Sequence, residues 1–396
     1  MYLDNAATSF PKPDCVYSAA DRWMRSVGAA HGRGQYRSAA DSAAIVETCR
    51  GRLAEILGVG SPAEVCFTFN CTDSLNLVLR GFLRRDDRVL TSMMEHNSVL
   101  RPLHQLQREL DLVIEQVRFD PQTGVLDPAE FERALRRVNP RLVVLSHASN
   151  VTGCVQPVKI LTELSHRAGA RVLLDAAQTA GHVPLNLQQL DVDFLAAAGH
   201  KGLLGPLGTG VLIVRSGLET EIQPVRCGGT GSNSQSPEQP HELPEKFESG
   251  NLNLPGIAGL NASAEFLLKE TVEKVHQHTA ALTTRLRDGL RIIPGVELYA
   301  DLSPGDASNS DHESAERVGI VALNIGTMDC REVATILDSS FDIQCRAGLH
   351  CAPLTHDVLG TASRGGCVRF SPGYFTTEDQ IDAAISAVQQ IAAYAS

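Results

Sequence analysis

The sequence has no basic surplus: 35 Lys and Arg are outnumbered by 46 Asp and Glu, for a net charge of −11. A chain of that sign is repelled by phosphate backbones and anionic membranes, so neither nucleic acid nor a lipid surface is an expected partner. No uninterrupted apolar run is long enough to cross a bilayer. The opening Met1-Tyr2-Leu3-Asp4-Asn5 carries neither a basic nor an apolar targeting segment, so no signal peptide is expected and the cytoplasm is the expected compartment. None of the ten cysteines forms a Cys-X-X-Cys pair and their spacing fits no zinc or iron–sulfur pattern, so no metal is expected. In a cytosolic chain such thiols stay reduced, most of them as small buried hydrophobes. Walker and G-X-G-X-X-G patterns are missing, which weakens a nucleotide reading, and no internal repeat is visible.

What is present is typical of a globular chain: 43% hydrophobic and 20% charged residues, over a length of 396 that predicts two domains. Residues 41–57 read as a helix, with Ile45, Val46, Cys49, Leu53, Ile56 and Leu57 at helical spacing and Gly58 as its cap. The apolar runs 64–69, 88–91, 142–146, 171–174, 193–197 and 211–214 read as buried strands, with helical stretches such as 158–168 between them. That alternation predicts a largely parallel sheet covered by helices on both faces. Residues 228–244 read as a long loop and 303–316 as a polar, acidic surface excursion. Beyond them, 318–324 is strand-like and 330–338 helical, as in a separate α+β domain.

Six local patterns carry chemistry. In Ala197-Ala198-Gly199-His200-Lys201-Gly202 a lysine follows an apolar strand in a glycine-dense turn. A desolvated amine there can form a Schiff base with an aldehyde cofactor, although a plain loop lysine fits as well. Asp175, at the end of the run Val172-Leu173-Leu174, stands where open α/β sheets bind ligands; it also suits a helix N-cap. Asn70-Cys71-Thr72-Asp73 leads from a strand into a helix, and such a helix N-terminus either binds an anion or is simply capped. His96 follows a strand and can stack on a flat ring or act as a structural hydrogen-bonder. In Arg346-Ala347-Gly348-Leu349-His350-Cys351-Ala352-Pro353 a cysteine sits in a turn-prone segment beside cations that favour a thiolate; an inert thiol is the alternative, and Cys345 is expected to point inward. Arg369, in Cys367-Val368-Arg369-Phe370-Ser371, can grip a carboxylate with two prongs, or lie on a surface edge strand.

Taken together, these segments resemble the class V aminotransferase family of pyridoxal-5′-phosphate (PLP) enzymes, and within it the group II branch of cysteine desulfurases and selenocysteine lyases. The likeness covers nearly the whole chain. It also takes in Tyr2-Leu3-Asp4-Asn5-Ala6-Ala7-Thr8, Glu95-His96, Ser146-His147-Ala148-Ser149-Asn150, Asp175-Ala176-Ala177-Gln178 and Phe247-Glu248-Ser249-Gly250. The resemblance implies an α/β chain of PLP fold type I, with a mostly parallel seven-stranded sheet in a large domain over 15–255. A smaller α+β domain from 1–14 and 256–396 would carry the cysteine loop. It implies that Lys201 bonds the cofactor and moves the Cα proton, and that Asp175 faces the ring nitrogen. Gln178 would face the phenolic oxygen and His96 stack on the ring, with Thr72, the Cys71 backbone and His200 at the phosphate. Asn150 and Arg369 would bind the substrate carboxylate, with Arg346 near the sulfur end. The family is homodimeric, with the segment around Asn251 completing the partner's site.

The activity so implied is removal of sulfur from L-cysteine, giving L-alanine and a persulfide on Cys351 for an acceptor protein. Iron–sulfur cluster assembly, tRNA thiolation and thio-metabolite synthesis would all draw on it. The same residues suffice for a selenocysteine lyase or another C–S lyase, and a non-catalytic scaffold is the reading from a different class. Two positions depart from the family: Ala198 stands where it has Ser or Thr, and Asn251 where it has Thr. Each hydroxyl lost from a charged phosphate costs roughly 1.5–3 kcal/mol, which Asn251 can offset through its amide and Ala198 cannot.

Overall fold

The computed structural model describes residues 1–395 apart from 33, 233–234 and 302–315. Seven short strands, β1 (Val65–Thr68), β2 (Arg88–Ser92), β3 (Val113–Val117), β4 (Leu142–Ser146), β5 (Arg171–Asp175), β6 (Phe194–Ala198) and β7 (Gly210–Val214), form one sheet in the order β1-β7-β6-β5-β4-β2-β3. The contacts β3–β2, β2–β4, β4–β5 and β5–β6 are parallel; β7 runs antiparallel to both β6 and β1. Parallel neighbours need crossovers, and the helices Asn97–Leu110, Pro128–Val138 and Val158–Arg167 supply them. Every residue of β4, β6 and β7 is buried, which explains why these strands read as continuous apolar runs rather than alternating ones. Their side chains divide between two cores: Val143 and Leu145 join Leu53, Phe131 and Leu260 on one face, while Leu142 and Val144 join Phe82, Leu103 and Leu212 on the other.

β3 was not anticipated. It lies at the sheet edge, where Glu115 and Gln116 meet solvent and break the apolar signal. The helix expected over 41–57 begins earlier, at Arg37, and ends as expected on Gly58 in the left-handed conformation (φ 61°). The helix Leu254–Glu270 adds Ile257, Leu260 and Leu267 to the core of this first sheet.

A second, antiparallel sheet follows: β8 (Val296–Leu298), β9 (Val321–Ile325), β10 (Arg346–Gly348) and β11 (Cys367–Phe370), in the order β10-β11-β9-β8. Its core gathers Leu286, Leu323, Leu337, Phe370 and Val388 with Leu3 from the start of the chain. Leu3 arrives there because Tyr2 bridges to Gln344 and Asp4 to Ser371. Arg346–Gly348 is a strand where a turn was expected: Arg346 pairs with Arg369, Ala347 with Val368 and Gly348 with Cys367, so the pairing partner rather than local propensity decides it. Arg369 sits on an inner strand of this sheet, and is 1% exposed, so the surface-edge alternative falls away. Cys345 is partly buried against the same core. Residues 228–244 carry no helix or strand among those described, and most of 303–316 lies outside the described residues. No helix among the described residues is long and apolar enough to cross a membrane.

One buried ion pair ties the segment after the long loop to the sheet. Arg50 Nη1 and Nη2 donate to Glu248 Oε1 and Oε2 at 2.7 and 2.9 Å, Phe67 N donates to Oε1 at 2.6 Å, and the guanidinium lies 4.7 Å from the Phe67 ring centre. Both side chains are nearly free of solvent. Each charge therefore depends on the other, because a buried charge without its partner is strongly destabilising.

Candidate active site

At the carboxyl ends of β4, β5 and β6 a cavity of about 280 Å³ opens toward the second sheet. Ten of the twelve expected site residues line it: Cys71, Thr72, His96, Asn150, Asp175, Gln178, His200, Lys201, Arg346 and Arg369. Those from the first sheet come from its strand ends and the loops that follow, where side chains leave the sheet and meet helix N-termini, and Arg346 and Arg369 come from β10 and β11 of the second sheet.

Asp175 closes β5 and is 6% exposed; its Oδ1 accepts from Ala177 N at 2.9 Å and from the Cys71 thiol at 3.4 Å. Lys201 lies in the turn after β6, and its amine makes no hydrogen bond to any described residue. Burial holds that ammonium below its ordinary range, with the Asp175 carboxylate pulling the other way. Gln178 is steadied by donating from Nε2 to the Ala6 carbonyl at 3.1 Å. Ala198, at the end of β6, brings only a methyl group to the wall where the family resemblance places a hydroxyl.

The helix Cys71–Phe82 points its first turn at the cavity. Asn70 caps it by accepting from Asp73 N at 2.9 Å, and the Cys71 and Thr72 amides have no acceptor within the helix. That is a ready anion cradle. Thr72 Oγ1 lies 2.7 Å from Ser98 Oγ, which lies 2.8 Å from His96 Nδ1. Ser98 N also donates to His96 Nδ1 at 3.0 Å, so that nitrogen is an acceptor and the ring proton is on Nε2. Burial pushes His96 and His200 down to about 4, so both rings are neutral near pH 7. His200 Nδ1 is buried without a partner.

On the far wall, Arg369 Nη1 donates to the Asn150 carbonyl at 2.9 Å and Nη2 to Asp4 Oδ1 at 2.6 Å, leaving Nε buried and unpartnered. Asn150 Nδ2 holds the His350 carbonyl at 2.7 Å. Arg346 Nη2 lies 3.2 Å from Cys351 Sγ, a charge-assisted contact that a thiolate accepts more strongly than a thiol. Cys351 does not itself line the cavity; it is half-buried behind Arg346, in the left-handed region (φ 59°), and its carbonyl accepts from Asn97 N at 2.7 Å. Asn251 is also outside this cavity. It borders a separate hollow of about 250 Å³ beside Phe69, Gly208 and Arg226.

Sequence reasoning missed a polar support behind the site. Glu95 is fully buried and accepts from Ser92 Oγ at 2.6 Å, Ser146 Oγ at 2.7 Å and Ser146 N at 3.1 Å, which fixes Ser146 in the cavity wall. Small polar residues at strand and helix ends look like ordinary caps, so Ser98 did not stand out, and Glu95 and Ser146, though within the segments that carry the resemblance, were given no role. Burial pushes the Glu95 carboxyl up to about 7 against an ordinary 4.5. A carboxyl raised in the folded state adds full stability below its unfolded value and loses it as pH rises through the folded one. Glu95→Gln removes that dependence. From about pH 4.5 to about pH 8 the stability gap between variant and parent should move by about 3 kcal/mol in favour of glutamine. Denaturant unfolding at both pH values measures this, and a gap that stays constant would show that Glu95 ionises as an ordinary carboxyl does.

Comparison with known proteins places this geometry. The family model described as aminotransferase class-V matches residues 1–384. A probable cysteine desulfurase of Methanothermobacter thermautotrophicus is 34% identical over 396 residues, spanning 99% of this chain and 94% of its own. The apo structure of the cysteine desulfurase of Thermococcus onnurineus superposes with a TM-score of 0.89 at 30% identity, covering 100% of this chain and 95% of that one. The cysteine desulfurase CsdA of Escherichia coli gives a TM-score of 0.85 at 28% identity, covering 98% and 94%.

Proposed function

The chain belongs to the aminotransferase class-V family, and from that premise we propose that it is a PLP-dependent cysteine desulfurase that moves the sulfur of L-cysteine onto Cys351 and releases L-alanine. The observation that carries this reading is the convergence on one cavity of an unpaired amine, a buried carboxylate and Arg346, the guanidinium that contacts the Cys351 thiol just outside it. The overall change balances as it stands: cysteine and the Cys351 thiol become alanine and a Cys351 persulfide, with no external oxidant.

The residues present suit the cofactor. An aldehyde needs a free amine, and Lys201 offers one; the phosphate needs donors, and the open helix turn at Cys71–Thr72 with the orphaned His200 Nδ1 offers them. A protonated ring nitrogen needs a carboxylate, which Asp175 supplies from a position buttressed by Ala177 N. When bound, PLP withdraws electrons from the Cα of an attached amino acid. The chain's own groups do the rest. Lys201 Nζ takes the Cα proton, for which a desolvated, depressed amine is suited. Arg369, with its unpartnered Nε, and Asn150 orient the substrate carboxylate. Arg346 Nη2 holds and aims Cys351 Sγ, and that sulfur attacks the substrate sulfur.

We further propose that two copies associate through the face that bears the Asn251 hollow. Phe69, on that hollow, and Leu207, next to its Gly208, are 64% and 66% exposed, and Asn251 borders the hollow and not the cavity that holds Lys201. An acceptor protein then collects the persulfide. Brief exposure of the holoenzyme to cysteine, followed by mass spectrometry, tests the reading: one added sulfur on Cys351 with matching alanine supports it. Alanine formed with every sulfur free in solution and none on Cys351 would overturn it.

A further inference from the structure

Behind the Cys351 loop three side chains that the proposed reaction leaves idle meet in the core. His350 precedes the reactive cysteine, His356 lies in the helix Pro353–Leu359, and Cys367 opens β11. They are 2%, 0% and 0% exposed. His350 Nδ1 lies 3.5 Å from His356 Nε2 and 4.0 Å from Cys367 Sγ, and all three atoms lie within 4.8 Å of one another.

The outward nitrogens of both rings are already placed. His356 Nδ1 lies 2.7 Å from Thr361 Oγ1, and His350 Nε2 lies 3.5 Å from the Arg346 carbonyl, which can only accept. The proton of His350 therefore belongs on Nε2, and its Nδ1 lone pair faces inward. His356 also meets the Leu349 carbonyl, so an ion would take the tautomer in which Nδ1–H donates to Thr361 Oγ1 and Nε2 turns its lone pair inward, and the thiol sulfur completes the triangle. Proteins orient metal-ligating histidines by this same device, fixing the remote N–H on a carbonyl or hydroxyl.

We propose that His350, His356 and Cys367 form a site for one d¹⁰ transition-metal ion, zinc(II) or copper(I). Three donors set trigonally, as copper(I) takes them and as zinc(II) takes them once a fourth ligand is added, with bonds of about 2.0–2.1 Å to nitrogen and about 2.3 Å to sulfur, separate the nitrogens by about 3.5 Å and each nitrogen from sulfur by about 3.8 Å. The nitrogens already stand at that spacing, one nitrogen–sulfur edge needs a few tenths of an ångström, and the other closes by at most about 1 Å. Binding exchanges the thiol proton for the metal and releases that proton, with no change of oxidation state. His350 and Cys351 both occupy the left-handed region (φ 50° and 59°), so the ion fastens the strained loop that carries the reactive sulfur onto β11 and the following helix.

The test loads the holoenzyme with zinc(II), and in a separate anaerobic series with copper(I), removes loose metal with a competing chelator and counts what stays by mass spectrometry. One equivalent of either ion is expected in the parent and in Cys351→Ala, which excludes the reactive thiol as the ligand. Retention should fall at least about tenfold in Cys367→Val and in His356→Phe. X-ray absorption should show one sulfur and two nitrogens around the ion, and the parent but not Cys367→Val should melt at a higher temperature when loaded. Should His356→Phe fail to fold, Cys367→Val, which preserves volume, decides alone. Loss of both metals to the chelator, or undiminished retention in Cys367→Val, overturns the site.

Discussion

Cys351→Ala should abolish persulfide formation and lower cysteine-dependent sulfide release by at least about a thousandfold, the scale seen when a nucleophile is removed from a working constellation. The argument is geometric. Cys351 Sγ is the sulfur that the Arg346 guanidinium holds, and Arg346, with Asn150 on the His350 carbonyl, connects the cysteine loop to the cavity wall. Without that sulfur, the substrate's own sulfur has to leave as an unaided hydrosulfide. The Lys201 and Asp175 side of the cavity is untouched by the change, so the visible absorption of the bound cofactor should persist. Selenocysteine, whose selenide leaves more readily, should lose less in the same variant. Sulfide release from cysteine at the parent rate would remove Cys351 from the reaction.

Lys201→Ala should abolish covalent capture of the cofactor and cut turnover by at least about a thousandfold, within the range for loss of a positioned acid–base group. Borohydride reduction followed by peptide mapping gives the readout: in the parent the mass of the reduced cofactor appears on Lys201, and in the variant on no residue. The amine is suited to both duties because burial weakens its hold on a proton while Asp175 keeps the shift from running further. The open helix turn at Cys71 and Thr72, proposed to take the phosphate, remains, so noncovalent uptake of the cofactor should survive in part. A modified lysine elsewhere in the parent would move the chemistry away from Lys201.

Much of this architecture was legible in the residue order, for identifiable reasons. β4, β5 and β6 are buried on both faces, so their apolar runs stand out, and Asp175 and Lys201 stand out by interrupting that pattern where the runs end. β3 hid at the sheet edge because Glu115 and Gln116 face water. β10 hid because Arg346-Ala347-Gly348 has no strand propensity of its own and exists by pairing with β11. The Glu95–Ser146 and Thr72–Ser98–His96 links hid for another reason: hydrogen bonds between residues distant in sequence leave no periodic trace, and serine at a strand or helix end has a ready local explanation. The expected contribution of Arg369 was clear only as an alternative until the second sheet enclosed it.

Under the association proposed above, the Arg50–Glu248 pair bears on how two copies would meet. Asn251 stands three residues beyond a carboxylate that is bolted, through both oxygens, to a helix and a strand of its own protomer. The surface offered to a neighbour is thus shaped before any encounter, and association has little loop to order. Two such chains would collide as finished parts, with the tempo of assembly set by diffusion and orientation instead of by folding at the seam.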